Sequence, residues 1–226
     1  MRSKISPYKL ILGTLVILTI SCNKDDKPPD PVSDIEGNTY KTVRIGNQVW
    51  MADNLKTTRY NDGTEILLVT NTEIWRNLTT PGYCWYNNDD ISFKDTYGAL
   101  YNGYSVSTGN LCPTGWHVPA REEWQQLREF LGDTITGGGK LKEAGTTHWL
   151  SPNKGADNSS GFKALAAGIR YFEGSFSAFS YYTGIWSATE IGSNDEWYLS
   201  LYFGDAIVNM NYTSKNHGFS VRCIKE

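Results

Sequence analysis

The chain has 226 residues, a formal net charge of −3 and an unusual load of 8 Trp, 14 Tyr and 8 Phe. Residues 1–21 hold Arg2, Lys4 and Lys9 and no acid, so the 205 residues after them carry −6. That balance argues against nucleic acid or an anionic lipid surface as partner. A chain of this length fits one domain, or one domain with a large loop region.

The N-terminus reads as a secretory signal. A basic start, Met1 to Lys9, precedes an apolar run from Leu10 to Ile20, and Ser21-Cys22 follows. The run is too short to span a bilayer, which takes about 20 apolar residues. Cys22 sits where a lipoprotein signal places its acylated cysteine, although Thr19 stands where an aliphatic residue is usual. Residues 22–37 begin with Asn23-Lys24-Asp25-Asp26 and continue through three prolines. This charged, Pro-rich stretch is expected to be a solvated spacer. It resembles the acidic tether of lipoproteins displayed on the outer face of the Bacteroidetes outer membrane. The expected location is therefore the outer membrane, by a lipid anchor at Cys22.

Residues 39–50 predict a β-hairpin, with Gly46-Asn47 as the turn between two β-branched and aromatic runs. Residues 56–110 hold many Asn, Asp, Gly, Thr and Tyr without a long periodic stretch, and read as short strands and loops where binding loops could sit. Residues 119–131 predict the clearest helix. Pro119 precedes an acidic first turn, Trp124, Leu127 and Leu131 share one face, and Gly132 ends it. Gly137-Gly138-Gly139 precedes a short second helix or turn at residues 140–144. From residue 162 onward the pattern turns to strands: 162–165, 168–172, 176–181, 185–189, 196–203, 206–212 and 218–224. Residues 197–203 are apolar nearly throughout and predict a central strand covered on both faces. This order implies an α+β, loop-rich fold with an antiparallel sheet.

Several segments are recognisable together. They are Trp50-Met51-Ala52-Asp53-Asn54-Leu55, the run from Cys112 to Pro119 with Glu123-Trp124, and Gly138 to Glu143 with Gly145-Thr146-Thr147-His148-Trp149. Gly161 to Arg170, Ile185-Trp186-Ser187-Ala188-Thr189 and Gly218-Phe219-Ser220-Val221-Arg222-Cys223 complete the set. Over residues 38–226 the chain resembles the Fibrobacter succinogenes major paralogous domain, common in surface lipoproteins. The resemblance implies a C-type-lectin-like twisted antiparallel sheet, flanked by one or two helices and shared with formylglycine-generating enzymes. It implies no activity. With Cys22 given to lipid, three cysteines remain. A Cys112–Cys223 bridge suits the implied fold, and Cys84 would be a buried free thiol. Two departures stand out. Ala120 replaces an expected Thr cap, at a cost of about 1 kcal/mol, and Ala166-Ala167 replaces a usual Pro-Gly.

No catalytic set emerges. His117, His148 and His217 lack metal-site spacing, and the Gly137-Gly138-Gly139-Lys140 run lacks the first Gly and the final Ser or Thr of a phosphate loop. No copper-binding cysteine pair aligns, so no cofactor is expected. The acidic pairs, such as Asp195-Glu196, alternate faces if they lie on a strand and cannot converge on one site. The expectation is a non-enzymatic surface module that binds a glycan or a protein. Trp75, Tyr83, Trp85, Tyr86 and Tyr97 of the loop-rich stretch are the candidate contacts. The rivals are a divergent enzyme drawing on an exposed Cys84, and a structural envelope component.

Overall fold

The computed structural model describes residues 28–226. The signal segment and Cys22 lie outside the described residues.

In chain order the elements are β1 (Val32–Ser33), β2 (Thr39–Tyr40), β3 (Thr42–Ile45), β4 (Gln48–Met51), α1 (Thr72–Arg76), β5 (Tyr83–Cys84), α2 (Asp90–Tyr97), β6 (Leu100–Asn102) and α3 (Gly103–Val106). Next come β7 (Trp116–His117), α4 (Arg121–Phe130), α5 (Gly137–Leu141), β8 (Ala167–Arg170), β9 (Phe176–Phe179) and β10 (Tyr182–Ile191). The last four are β11 (Asp195–Tyr202), β12 (Asn209–Ser214), β13 (Gly218–Phe219) and β14 (Ile224–Lys225). The fold is α+β and loop-rich. The main sheet runs β12-β11-β10-β8-β13-β6-β5, with β9 paired to β8; a second sheet runs β3-β4-β14-β7. The named strands pair antiparallel except β8 and β10, which run parallel with Thr183 opposite Gly168; the isolated bridges Leu68–Tyr83, Lys142–Ala164 and Ile185–Ser220 are parallel too.

The predicted hairpin is present as β3 and β4, turning at Gly46-Asn47 with Ile45 opposite Gln48. The predicted strand at 218–224 is split: Gly218–Phe219 form β13 of the main sheet, and Ile224 of β14 lies between Trp50 and His117 in the second. Helix α4 follows its apolar spacing. Trp124 and Leu127 are fully buried in a core with Trp50, Phe162 and Leu199. The Trp124 ring lies 4.6 Å from that of Trp50. Burial of Leu127 alone contributes about 1.5–3 kcal/mol. The missing cap at Ala120 is made good from elsewhere. The Thr189 hydroxyl, on β10, accepts from the Arg121 N–H at 2.9 Å, and the Glu123 carboxylate accepts from the Ala120 N–H at 2.8 Å.

Four further expectations need correction. The spacer does not extend to residue 37: β1 pairs with β2, and the Asp34 carboxylate accepts from the Glu36 and Asn38 N–H groups and the Tyr40 hydroxyl. Residues 56–110 contain helices as well as strands. Helix α2 was hidden because none of its residues is fully buried and its packed side is only Phe93 and Tyr97; its signals are the Asp89 N-cap and Gly98 at its end. The three glycines begin helix α5 rather than precede it. A Cβ on Gly138 would stand 2.6 Å from the Ile207 carbonyl oxygen, and one on Gly139 would collide with the Gly155 carbonyl. Only glycine lets the backbones come this close. Residues 162–165 form no strand, only an Ala164–Lys142 bridge. The buried Arg222 guanidinium takes the Phe162 and Lys163 carbonyls instead.

Arg222 is one of three buried cations that hold loops to the sheets. Arg170 donates to the Gly174, Val69 and Thr70 carbonyls and lies over the Trp75 ring at 4.3 Å. Lys142 Nζ donates to the Lys154, Tyr202 and Asp205 carbonyls at 3.0, 3.0 and 2.6 Å. Irregular backbone buried away from water must find partners, and here long cationic side chains supply them. The Cys112–Cys223 disulfide is formed and ties the approach to β7 to the last strand.

Candidate functional site

Alternation along β11 sends Leu199 and Leu201 into the helix-covered core and turns Tyr198, Ser200 and Tyr202 to the other face. Register then builds a patch on that face. Tyr182 of β10 stands opposite Tyr202, Gly184 opposite Ser200 and Trp186 opposite Tyr198. On the other side, Asn209 of β12 stands opposite Ser200 and Asn211 opposite Tyr198. Gly184 is small for a reason: a Cβ there would lie 2.8 Å from the Phe219 ring. The Phe219 ring packs 4.7 Å from Trp186 and 4.5 Å from Tyr198, making an aromatic base.

A cleft of about 320 Å³ opens over this base. Ile169, Ala178 and Phe219 form its floor, and Tyr171, Tyr181, Tyr182, Tyr198 and Tyr202 form its walls. Tyr181 and Tyr202 meet at a right angle, 6.5 Å between ring centres. Tyr171 and Tyr202 are 37% and 39% exposed, so their faces are open to solvent while the floor is dry. Larger depressions occur, one of about 540 Å³ beside Leu67 and Leu68 and one of about 450 Å³ beside α4. The second is walled mostly by exposed residues of a single stretch, and four of the six residues lining the first are the consecutive residues 65–68. The tyrosine cleft instead gathers side chains from β8 to β13, which gives it a preformed shape.

Electrostatically the cleft is neutral. None of its lining residues is Asp, Glu, Lys or Arg. His217 closes one end with its ring stacked 5.7 Å from Phe219 and its Nδ1 3.1 Å from the Thr213 hydroxyl and 3.2 Å from the Ser214 carbonyl. Burial pushes its imidazole below the ordinary histidine value, so it is uncharged at neutral pH. Burial likewise pushes the Tyr182 phenol well above its ordinary value, beside the Tyr198 and Ser200 hydroxyls. The arrangement offers flat apolar ring faces edged with hydroxyl and amide groups.

The predicted contact residues lie elsewhere and mostly inside. Trp75 is 1% exposed, and its indole N–H donates to the Asn216 carbonyl at 2.8 Å. Tyr83 and Trp85 are buried and pack edge-on to each other. Tyr86 is buried among Phe93, Phe176 and Phe179. Tyr97 alone is half-buried, its ring 4.9 Å from Phe179. These residues are core because the short strands β5 and β6 have little other apolar surface with which to hold the loop-rich stretch in place. The cleft tyrosines went unrecognised because residues 197–203 were expected to be covered on both faces, whereas Tyr202 is exposed; the Tyr198-Ser200-Tyr202 parity against Leu199 and Leu201 was a usable signal.

The other candidates have structural partners. Glu123 carboxylate oxygens lie 2.9 Å from His117 Nε2, and a Glu143 oxygen lies 2.6 Å from His148 Nδ1. Cys84 is free and buried, with its thiol pushed up to about 12 by burial; it is not a nucleophile at neutral pH. Among the described residues no group of three His, Cys, Asp and Glu could hold a metal ion, and no helix is long and apolar enough to cross a membrane.

The family model of the Fibrobacter succinogenes major domain matches residues 43–225. The chain belongs to this family. The markers named above, from Trp50 to Cys223, fall within the match. In this Fibrobacter succinogenes major domain they are mainly scaffold: Trp50, Trp124, Lys142, Arg170, Trp186 and Arg222 are all buried. No curated protein and no solved structure matches the chain.

Proposed function

We propose that the protein is a lipid-anchored, non-enzymatic binding module of the bacterial outer membrane, whose ligand seats in the tyrosine cleft. One observation carries this reading: five tyrosines from β10, β11 and the connections beside them converge on a buried apolar floor, and two of them, Tyr171 and Tyr202, are left exposed. Tyrosine has an apolar body and a polar tip, and it presents contact area at low entropic cost, which suits it to recognition. A fold that needed these rings only as core would bury them.

The anchor rests on the pattern of residues 1–31, which supports acylation at Cys22. From Cys22 to the folded part is a short reach. The backbone to Asp30, fully extended, spans at most about 30 Å, so the cleft would work near the membrane surface. The enzymatic alternative drew on Cys84, and its burial takes away that support. Binding of the full chain, purified in detergent, to immobilised glycans and envelope proteins tests the proposal. A ligand lost on Tyr202→Ala supports it. Silence across both sets, or binding indifferent to Tyr202→Ala and Tyr181→Ala, refutes it.

A further inference from the structure

The charge and shape of the cleft say more than that something binds. This step rests on the reading of the cleft as the binding site, and concerns the class of ligand.

We propose that the cleft takes an uncharged glycan, with a sugar ring laid against the corner of Tyr181 and Tyr202 and its hydroxyls bonded along Asn209 and Asn211. Three observations carry this. The first is neutrality: no lining side chain is a fixed cation or anion. A uronate or sulfate lowered onto Ile169, Ala178 and Phe219 would lose water with no counter-charge, which costs several kcal/mol. Lys215, the buried ammonium on the same stretch of chain, is already held by Glu190 at 2.5 Å. Glu173, whose charge reaches His217, is the wrong sign for an acidic sugar.

The second is the pairing of surfaces. A pyranose has an apolar C–H face and a rim of hydroxyls. The cleft has perpendicular ring faces at Tyr181 and Tyr202 and, by register, amide and hydroxyl groups on the same side of β11 and β12. The Asn211 amide reaches the Ser200 hydroxyl at 3.3 Å, a long bond on an exposed side chain that a sugar hydroxyl can replace. The third is size. A volume of about 320 Å³ lies at the lower end of the range for small-ligand sites, about 300–1,000 Å³. That suits a short piece of glycan with the chain continuing across β12. A bare quaternary ammonium would engage the rings but leave the asparagine edge unused and much of the cleft empty.

The experiment is a calorimetric titration of the full chain in detergent at pH 7.5 with three probe sets. They are neutral glucan, mannan and xylan oligosaccharides; oligogalacturonate and sulfated heparin fragments; and choline. The expected result is binding to a neutral oligosaccharide, weakened about tenfold or more by Tyr202→Ala and by Tyr181→Ala, a loss of about 1.4 kcal/mol or more. Tyr212→Ala, on the other face of β12 and 58% exposed, should leave it unchanged. Preference for the acidic fragments or choline, still lost on Tyr202→Ala, overturns the ligand class and leaves the cleft as the site. Neutral-glycan binding indifferent to both cleft variants overturns the cleft reading itself. No binding to any probe overturns the glycan inference.

Discussion

Glu196→Gln offers a direct test of how the sheet beside the cleft is built. Glu196 lies on β11 opposite Thr213 and Glu190, fully buried, and both of its carboxyl oxygens lack a hydrogen-bond partner. Lys215 is close enough to favour ionisation, but its ammonium is taken by Glu190. Burial dominates, then Lys215 opposes it and Glu190 adds to it. The net result pushes the Glu196 carboxyl from 4.5 up to about 9. The native state therefore holds a proton that the unfolded state releases. Its stabilising contribution is whole below pH 4.5, falls as pH rises, and is gone above pH 9. Within that window each pH unit costs about 1.4 kcal/mol, so the wild type should lose at most about 4 kcal/mol from this group between pH 5 and pH 8. Gln has the same shape and no proton to lose. Urea unfolding of wild type and Glu196→Gln at pH 5, 6.5 and 8 cancels every other titration. The variant should gain relative stability steadily with pH, up to several kcal/mol. Parallel pH profiles would refute the claim that this carboxyl is buried protonated.

Three further outcomes follow from the packing. Lys142→Met keeps much of the side-chain length but removes the buried ammonium that joins the Lys154, Tyr202 and Asp205 carbonyls, and should cost about 3 kcal/mol in chemical denaturation. Loss of the Cys112–Cys223 bridge, which closes a loop with a sequence separation of 111, should cost about 4–5 kcal/mol on the chain-entropy model; Cys112→Ala with Cys223→Ala, compared by thermal unfolding, measures it. Cys84 should resist alkylation in the native protein and react once the protein is denatured. Modification of the native chain at pH 7.5, read by mass spectrometry, would contradict its burial.

The elements legible in the sequence are those whose cause is local. The β3–β4 hairpin announces itself by a Gly-Asn turn between β-branched runs. Helix α4 shows an acidic first turn and an apolar face, and β8 to β14 alternate with turn residues. The segments that misled are those whose conformation depends on distant groups. Residues 162–165 have strand composition, but Arg222, sixty residues away, takes their carbonyls. The glycines at 137–139 read as preceding the second helix until the backbone of residues 155 and 206–207 is seen lying against them.

The same division governs function. By itself the sequence determined the family, the strand-rich C-terminal half and the cysteines available for a bridge, because motifs, periodicity and composition are properties of neighbouring residues. Which of fourteen tyrosines face solvent was decided only by the tertiary structure. Burial is set by what another part of the chain lays on top. The aromatics at 75–86 were covered to make a core for a loop-rich region, while Tyr202 was left open at the end of β11 by the register of β10 and β11.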